Sequence, residues 1–379
     1  MTTARLLTLA LALACVSCAA ACGASSGAGW QSKQERRWRA TAEAGAPVTS
    51  ASPAQIATLE DRRVNESSGI VASRRNPGLF WTHNDSGDGP FVYAFDRRGR
   101  RRGTWRVAGA QARDWEDIAA GPGPEASRAY LYAGDIGDND EEREFIVVYR
   151  FPEPEIADAD AASTRESPRA TAAAEAIRIK YPDGAHNCEA LLVHPTTGDL
   201  YVVTKAGDSA GVYKLAAPFD ASKVNTFARV ATLRGPGFFG TLVTGADISP
   251  DGRRVALCDY AGGYELTPPE GSKGFDDVWA QKPTLVPLGA RKQGESVCYR
   301  LDGAALLATS EGTPTPLFEV VLREQKGGSP AVREGASTPA VTTGGSQTPS
   351  LTVGLPPSPF AFLETLRGRS AGGLESRRR

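Results

Sequence analysis

Five acidic residues recur directly before short runs of apolar or small residues. Glu189, for example, leads the run 190–193 (Ala-Leu-Leu-Val), and a turn and a second apolar run follow it. The five acids are Glu66, Glu116, Glu189, Asp247 and Glu295, and they are separated by 50, 73, 58 and 48 residues. Carboxylates gathered at one place raise one another's pKa or are neutralised by a cation. The spacing therefore predicts a shared position that requires protons, hydrogen bonds or a bound cation.

Repeats of this length are typical of β-propellers, in which each repeat forms one four-stranded blade. The 379-residue chain contains 41 Gly, 26 Pro and a single Met, which suits many turns and short strands better than long helices. Residues 64–322 divide into five units, and the first hairpin turn of each unit carries Gly or Pro, as in Asn76-Pro77-Gly78. We therefore predict an all-β fold, a five-bladed β-propeller that spans residues 55–322.

The fifth unit contains only three predicted strands, at residues 296–300, 304–309 and 317–322. A lone apolar segment at residues 55–60 can supply the fourth strand. Such pairing would cover the unpaired backbone groups of the last blade and join the two ends of the ring. The sequence thus predicts a propeller that is closed by an N-terminal strand.

The predicted topology brings the leading acids to one mouth of the central channel. The first strand of each blade lines the channel of a propeller, and it starts at the face where the antiparallel second strand ends. The Ala-, Glu- and Pro-rich insertion at residues 152–175 joins a third strand to a fourth strand and should lie at the opposite face. The second strands end at or near His83, Asn84, Asp85, Asp135, Lys205, Asp259, Tyr260 and Glu311.

The oxygen-rich mouth contains no thiolate at a loop position, which favours Ca²⁺ over Zn²⁺ or copper. The candidate metal ligands are Glu66, Glu116, Asp117, Asp135, Glu189, Asp247 and Glu295. The alternative is a structural ring, in which the acids accept hydrogen bonds from backbone N–H groups of neighbouring blades. In that case Arg113, Lys205 and Lys292 are available to pair with some of them. Both interpretations stay open at this point.

Three side chains at the predicted mouth are candidates for catalysis. His83 and His186 are candidate general acid–base groups because histidine titrates near neutral pH. Lys205 is placed to contact an anionic group of a substrate. The candidate ligand-binding residues are Asn84, Asp85, Asp259, Tyr260 and Glu311. The chain carries no Walker loop.

The two ends of the chain differ in composition from its centre. Residues 1–30 are a predicted targeting segment, in which Arg5 precedes an apolar stretch and Cys22 follows three alanines. Because this resembles a bacterial lipoprotein cleavage site, we expect an exported protein that is either anchored to the envelope at Cys22 or secreted. Residues 31–54 are predicted to be a linker, and residues 323–379 a disordered tail rich in Gly, Ser, Thr and Pro.

The net charge of the chain limits the classes of partner that we expect. The formal net charge of −1 gives no reason to expect nucleic acid or an anionic membrane as a partner. We expect a monomer that binds a small anionic ligand or a protein partner and contacts the membrane only through the possible N-terminal anchor.

Three cysteines, Cys188, Cys258 and Cys298, fall in predicted inner strands, where free cysteine behaves as a small apolar residue. Their odd number leaves at least one unpaired within the chain.

Four motifs within residues 60–322 resemble those of a group of exported bacterial propeller proteins without an assigned activity. They are Asn65-Glu66-Ser67-Ser68-Gly69, Trp81-Thr82-His83-Asn84-Asp85-Ser86-Gly87, Asp114-Trp115-Glu116-Asp117-Ile118-Ala119 and Gly134-Asp135-Ile136-Gly137-Asp138-Asn139. More distantly, the leading acids resemble those of esterase-like phytase propellers. Five blades with a carboxylate ring also resemble the calcium-activated nucleotidases, which hold Ca²⁺ in the channel mouth. These two resemblances imply Ca²⁺-dependent phosphoester hydrolysis, whereas the missing catalytic constellation favours a binding protein.

Overall fold

The computed structural model describes residues 51–234 and 242–322. These residues belong to one unit of the chain, which spans residues 1–326. The predicted targeting segment with Cys22, most of the linker and the predicted disordered tail lie outside the described residues. Among the helices of the described part, none has both the length and the apolar character that a membrane crossing requires.

The described strands form five sheets, each built around four antiparallel strands. The chain begins with β1 (Ala54–Thr58). Blade 1 contains β2 (Ser67–Ala72), β3 (Leu79–Asn84), β4 (Phe91–Asp96) and β5 (Arg101–Arg106). Blade 2 contains β6 (Trp115–Pro122), β7 (Ala129–Asp135) and β8 (Ile146–Pro152), and then, after a 3₁₀ helix (Asp158–Ala162) and β9 (Arg169–Ala170), β10 (Glu175–Lys180).

The remaining three blades follow the same pattern. Blade 3 contains β11 (Cys188–Val193), β12 (Leu200–Thr204) and β13 (Ala210–Leu215), and then, after β14 (Val224–Thr226), β15 (Ala228–Leu233). Blade 4 contains β16 (Gly245–Ile248), β17 (Val255–Cys258) and β18 (Gly263–Leu266), and then, after a 3₁₀ helix (Phe275–Ala280), β19 (Thr284–Val286). Blade 5 contains β20 (Ser296–Tyr299), β21 (Ala305–Thr309) and β22 (Pro316–Val321).

Strand β1 completes blade 5, as the sequence predicted. It pairs antiparallel with β22, and Ala54 lies opposite Glu319 while Thr58 lies opposite Pro316. The innermost strands contact one another in the order β2, β6, β11, β16, β20 and back to β2. The predicted fold, a five-bladed propeller closed by an N-terminal strand, is therefore confirmed.

The hydrophobic core is divided into five clusters, one between each pair of adjacent blades. Between blades 1 and 2, for example, Trp81 packs edge-on against Trp105 with 5.0 Å between ring centroids, and Leu131 and Phe151 belong to the same cluster. The inner strands β2 and β11 are buried along their whole length because blades flank them on both sides. Burial of apolar surface between blades thus fixes the ring that carries the channel mouth.

The insertion at residues 152–175 starts at the face opposite the mouth, but it then runs along the outer edge of blade 1 to the mouth-facing loop, where Arg165 pairs with Asp88 at 2.7 Å, and it forms more structure than the sequence indicated. Its strand β9 pairs parallel with β5 of blade 1. Glu153 is buried and accepts hydrogen bonds from the backbone N–H groups of Arg74 and Arg75 at 3.1 Å and from Trp81 Nε1 at 2.8 Å. Its carboxylate also accepts from the Ser73 hydroxyl. The insertion therefore joins blade 2 to blade 1 across their outer surfaces.

The three cysteines of the propeller are free and buried. Cys188 and Cys298 lie on the first strands of blades 3 and 5, and Cys258 lies on the second strand of blade 4. Burial raises the pKa of each thiol, and those of Cys188 and Cys258 rise to about 12. The thiols are therefore protonated at neutral pH and act as small packing groups.

Candidate functional site at the channel mouth

Three inner strands begin with a β-bulge, and the bulge places an extra residue at the channel mouth. The pairing register shifts between Ser67 and Gly69 in β2, between Trp115 and Asp117 in β6, and between Cys188 and Ala190 in β11. A bulge leaves one residue unpaired and redirects its side chain. The three bulged residues are Ser68, Glu116 and Glu189.

Asp85, Asp114 and Glu116 form the tightest group of acids at the mouth, and we call them the acid trio. Each offers one carboxylate oxygen, and these three oxygens lie within 4.8 Å of one another. Asp85 follows the last residue of β3 in blade 1, and Asp114 precedes the first residue of β6 in blade 2. The trio therefore lies where the mouth-facing ends of blades 1 and 2 meet.

Glu116 is the buried member of the acid trio, with 5% of its surface exposed. Within the described residues its carboxylate accepts no hydrogen bond and forms no ion pair, although its backbone carbonyl accepts one from the Ser68 hydroxyl. Burial, together with the charges of Glu189, Asp85 and Asp114, raises the pKa of Glu116 well above its ordinary value. A carboxylate in these surroundings requires either a proton or a bound cation.

Lys205 dominates the opposite part of the mouth, at the end of β12 in blade 3. Its ammonium group pairs with the Glu189 carboxylate, donates to the Tyr260 hydroxyl and lies 4.8 Å from the centre of the Tyr260 ring. Burial would lower the pKa of Lys205, but the charges of Glu189, Tyr260 and Glu295 outweigh burial and raise it. Lys205 is therefore a permanently charged cation at neutral pH.

Blade 5 adds two carboxyl groups beside Lys205. Glu295 is 5% exposed and accepts a hydrogen bond from Gln293 Nε2 at 2.8 Å. Burial and the charge of Glu189 raise the pKa of Glu295 well above its ordinary value. Burial, with the charges of Asp85, Glu66 and Glu189, raises the pKa of Glu311 to about 7. Glu311 thus interacts with acids on both sides of the mouth and titrates near neutral pH.

Two predicted metal ligands, Asp117 and Asp247, instead bind backbone N–H groups of neighbouring blades. Asp117 is 1% exposed and accepts from the N–H groups of Leu191 at 2.9 Å and Ala246 at 3.4 Å. Asp247 accepts from the N–H of Tyr299 at 2.8 Å. Both lie further along their strands than the mouth-facing ends. These two acids therefore fit the structural alternative predicted from the sequence. Asp117 links blade 2 to blades 3 and 4, and Asp247 links blade 4 to blade 5.

Asp135 and Asp259 shape the wall of the mouth through bonds to the loops around them. Asp135 accepts from the backbone N–H groups of Arg113 and Asp114 and forms an ion pair of 2.9 Å with Arg143. Asp259 accepts from two backbone N–H groups in its own loop and from a tyrosine hydroxyl of β18. These carboxylates are occupied by protein donors, so the structure places them behind the mouth rather than free within it.

Asn84 and Glu66 lie at the rim of blade 1. The Asn84 side chain accepts from the backbone N–H of Glu66 at 3.1 Å and donates to the Arg63 carbonyl at 2.6 Å. The backbone carbonyl of Glu66 accepts from the N–H of Asp85 at 2.9 Å, and its side chain is exposed. Asn84 therefore holds the loop that carries Asp85, and Glu66 borders the mouth.

The two histidines do not join the acid trio. His83 is fully buried; its Nδ1 bonds to the Asn84 carbonyl at 2.7 Å, and burial lowers its pKa, so the ring is neutral. His186 lies beside blade 3, where Nε2 is 3.0 Å from Asp183 and 2.9 Å from the Tyr213 hydroxyl. The structure thus gives His83 a packing position between blades and His186 a separate polar cluster.

Sequence reasoning did not include Asp114 among the candidate ligands, and it assigned Asp85 to ligand binding alone. A signal for Asp114 was present in the motif Asp114-Trp115-Glu116. Asp114 directly precedes β6, and Glu116 is the second residue of that strand, so both belong to its mouth-facing start. The structure brings both of these acids to the mouth, together with Asp85 from the neighbouring blade.

The chain is therefore a five-bladed β-propeller with an acidic channel mouth that contains Lys205. No family model matches the chain, and no curated protein matches it. Among solved structures it is similar to a proposed 6-phosphogluconolactonase from Bacteroides fragilis, with 12% sequence identity and a TM-score of 0.33. The match covers 66% of this chain and 79% of that chain. At this level the similarity carries no argument about chemistry, so the functional assignment rests on the residues of the mouth.

Proposed function

We propose that the channel mouth binds a divalent cation at the acid trio and that the bound cation recruits a small anionic ligand or an acidic group of a protein partner. The observation that carries this proposal is Glu116, a buried carboxylate without a protein donor that lies against two further carboxylates. Buried charges in proteins are paired or coordinate metals. Glu116 has no pairing partner within the described residues, which supports a metal ligand role.

Ca²⁺ is the cation that fits this donor set best. The trio supplies only carboxylate oxygens, which hard cations prefer, and its separations leave room for an ion with oxygen ligands at about 2.3–2.6 Å. Ca²⁺ binds six to eight oxygens, roughly, so three side chains leave positions for water and for oxygens of a ligand. Lys205 lies on the opposite side of the mouth and offers a second positive charge to the same anionic group.

A second candidate function is Ca²⁺-dependent hydrolysis of phosphoesters. The observation that favours it is Glu311, whose pKa of about 7 suits a general acid or base at neutral pH. The cation and Lys205 would stabilise negative charge that develops on the phosphoryl group, and Glu311 would exchange a proton with water or with the leaving group. In this arrangement Glu311 takes the role that the sequence assigned to His83 or His186.

Thermal unfolding of the full chain with Ca²⁺ and with a chelator tests the proposal. A ligand at 100 times its dissociation constant stabilises the folded state by about 2.7 kcal/mol, so a clear rise in Tm is expected. Glu125→Gln is a control outside the mouth, because Glu125 is exposed and its carboxylate contacts Arg128 and the Tyr130 hydroxyl. The same rise is expected in this control. An unchanged Tm for the wild-type protein up to millimolar Ca²⁺, with no co-purified metal, would refute cation binding.

Phosphoester assays separate the two candidate functions. The proposed binding protein turns over none of a panel of mono- and diesters, with or without Ca²⁺. Turnover that requires Ca²⁺ and disappears in Glu116→Gln would instead establish the hydrolase. The comparison must use protein that unfolds cooperatively, so that loss of activity is not loss of fold.

We also propose that the protein is exported and anchored to the envelope through Cys22. The support is the targeting segment at residues 1–30 and the small residues before Cys22. Fractionation of cells that express the wild-type chain and Cys22→Ser tests this. The wild-type protein should sediment with membranes and Cys22→Ser should not, whereas equal distribution of the two would rule out the anchor.

A further inference from the structure

We infer that Lys205 acts as a resident cation, which occupies the blade 3–5 half of the mouth and restricts metal binding to the acid trio. This inference rests on the proposed function, because it assumes that the trio binds a cation. It assigns to Lys205 a role in the metal stoichiometry of the site. Lys205 is thus a specificity-determining residue rather than a ligand.

The mouth consists of two acidic halves that differ in their neutralising groups. The half between blades 1 and 2 contains the acid trio, and within the described residues no lysine or arginine forms an ion pair with any of its members. The half formed by blades 3–5 contains Glu189, Glu295 and Glu311; Lys205 pairs with Glu189, and its charge also acts on the other two. Each half therefore holds three carboxyl groups, but among the described residues only the blade 3–5 half has a carboxylate that is ion-paired with a lysine or arginine.

Three contacts with two residues fix the position of the Lys205 ammonium group. Glu189 of β11 pairs with it, the Tyr260 hydroxyl accepts from it, and the Tyr260 ring lies beneath it at 4.8 Å. The side chain is 16% exposed, so it is held inside the mouth rather than extended into solvent. The charge of Lys205 also lowers the pKa values of Glu295 and Glu311, against the dominant effect of burial. One ammonium group thus acts on all three carboxyl groups of its half.

An ammonium group in this position takes the place that a metal ion would otherwise occupy. It is a compact positive charge in contact with one carboxylate oxygen and one phenol oxygen, which are types of ligand that hard cations also bind. Without it, Glu189, Glu295 and Glu311 would be three carboxyl groups with no lysine beside them. A second divalent cation should then enter the mouth.

Calcium titration by calorimetry of the metal-stripped full chain counts the ions directly. The wild-type protein should bind one Ca²⁺ per chain and Lys205→Met should bind two. Lys214→Met is the matched control, because Lys214 also pairs with two aspartates (Asp199 and Asp276) and lies 5.2 Å from a tyrosine ring, but outside the mouth. This control should bind one ion.

Substitution of Glu116 shows which half holds each ion. Glu116→Gln should bind none, and the double variant Glu116→Gln/Lys205→Met should bind one. If Lys205→Met binds one ion with unchanged affinity, or binds none, the resident-cation inference is wrong. The proposed function is still supported in that case if the wild-type protein binds one Ca²⁺. If neither the wild-type protein nor Lys205→Met binds Ca²⁺, both are wrong.

A charge-retaining variant covers the case in which Lys205→Met does not fold. Lys205→Arg keeps a permanent positive charge and should bind one ion, and Lys205→Gln keeps polarity without charge and should bind two. Circular dichroism and cooperative unfolding must first show that each variant is folded. Equal stoichiometry in folded Lys205→Arg and Lys205→Gln would overturn the inference, because the number of ions would then be independent of the charge at this position.

Discussion

Replacement of Glu116 by glutamine should change stability in opposite directions with and without Ca²⁺. Glutamine has nearly the same shape as glutamate but carries no charge, so the substitution removes repulsion from Asp85 and Asp114 without leaving a cavity. Two unit charges 4.8 Å apart repel by about 3.5 kcal/mol at an effective dielectric constant of about 20. Because burial and the neighbouring carboxylates raise the pKa of Glu116, the net repulsion is smaller than this figure. We therefore expect the chelated variant to be more stable than the wild-type protein by about 1–2 kcal/mol.

The same substitution should abolish the gain in stability from Ca²⁺. The wild-type protein gains about 2.7 kcal/mol at 100 times the dissociation constant, and the variant, which lacks the central ligand, should gain almost none. The order of stability thus inverts: the variant is more stable in chelator and the wild-type protein is more stable in Ca²⁺. Thermal or urea unfolding at pH 7 measures both comparisons, and Glu125→Gln serves as the exposed control.

Two results would refute this reasoning. If Glu116→Gln is destabilised in chelator by as much as a typical core substitution, Glu116 has a protein partner that stabilises its charge. If the variant keeps the full Ca²⁺-dependent gain, the acid trio is not the cation site. In either case the buried carboxylate would require a different explanation.

Two further predictions concern carboxyl groups with contrasting surroundings. Glu311→Gln should remove a pH dependence of stability from the cation-free protein. The folded-state pKa of Glu311 is about 7 against an ordinary 4.5, so its contribution to stability is full below pH 4.5 and is lost as the pH rises to about 7. In urea unfolding at pH 4.5 and 7.5, the free energy of unfolding should therefore decline less in the variant than in the wild-type protein, and equal declines would contradict the prediction. Glu153→Ala should lower the free energy of unfolding by about 3 kcal/mol, because it leaves the buried donors of Ser73, Trp81 and the 74–75 backbone without an acceptor. Glu155→Ala is the control: this side chain is 77% exposed, and its loss should change the free energy of unfolding by less than about 0.5 kcal/mol. Similar losses for the two variants in urea unfolding would show that burial of Glu153 is unimportant.

Most of the fold follows from the sequence because the repeat and the turn residues act locally. The spare segment before the first repeat and the missing strand of the last repeat predicted the pairing of β1 with β22, and that pairing is present. The parallel strand β9 was not predicted. It is only two residues long and depends on the edge of β5 in another blade, so no local pattern reveals it.

The candidate site was predicted less completely, because single-residue bulges decide which side chains face the mouth. In the sequence repeat, Glu66, Glu116 and Asp247 occupy equivalent positions, because each of them leads its unit. The bulges instead align Glu116 with Ser68 and Glu189, and Asp247 lies further along its strand. A bulge has no reliable signature in one sequence, so the alternation of residues along a strand cannot assign these faces.

The hydrogen-bonded acids also could not be separated from the free acids by sequence. Asp117 directly follows Glu116, yet it binds backbone N–H groups of Leu191 and Ala246, which lie 74 and 129 residues away. Such contacts exist only after the ring has closed. The distinction between a structural carboxylate and a candidate ligand is therefore a property of the tertiary structure.

Anomalous diffraction from crystals soaked in Tb³⁺, a Ca²⁺ substitute with oxygen preference, tests the central claim most directly. One strong peak is expected between Asp85, Asp114 and Glu116, at about 2.3–2.6 Å from their carboxylate oxygens, and it should be absent in Glu116→Gln. A peak confined to Glu189, Glu295 and Glu311 would contradict this claim, as would a mouth without any peak.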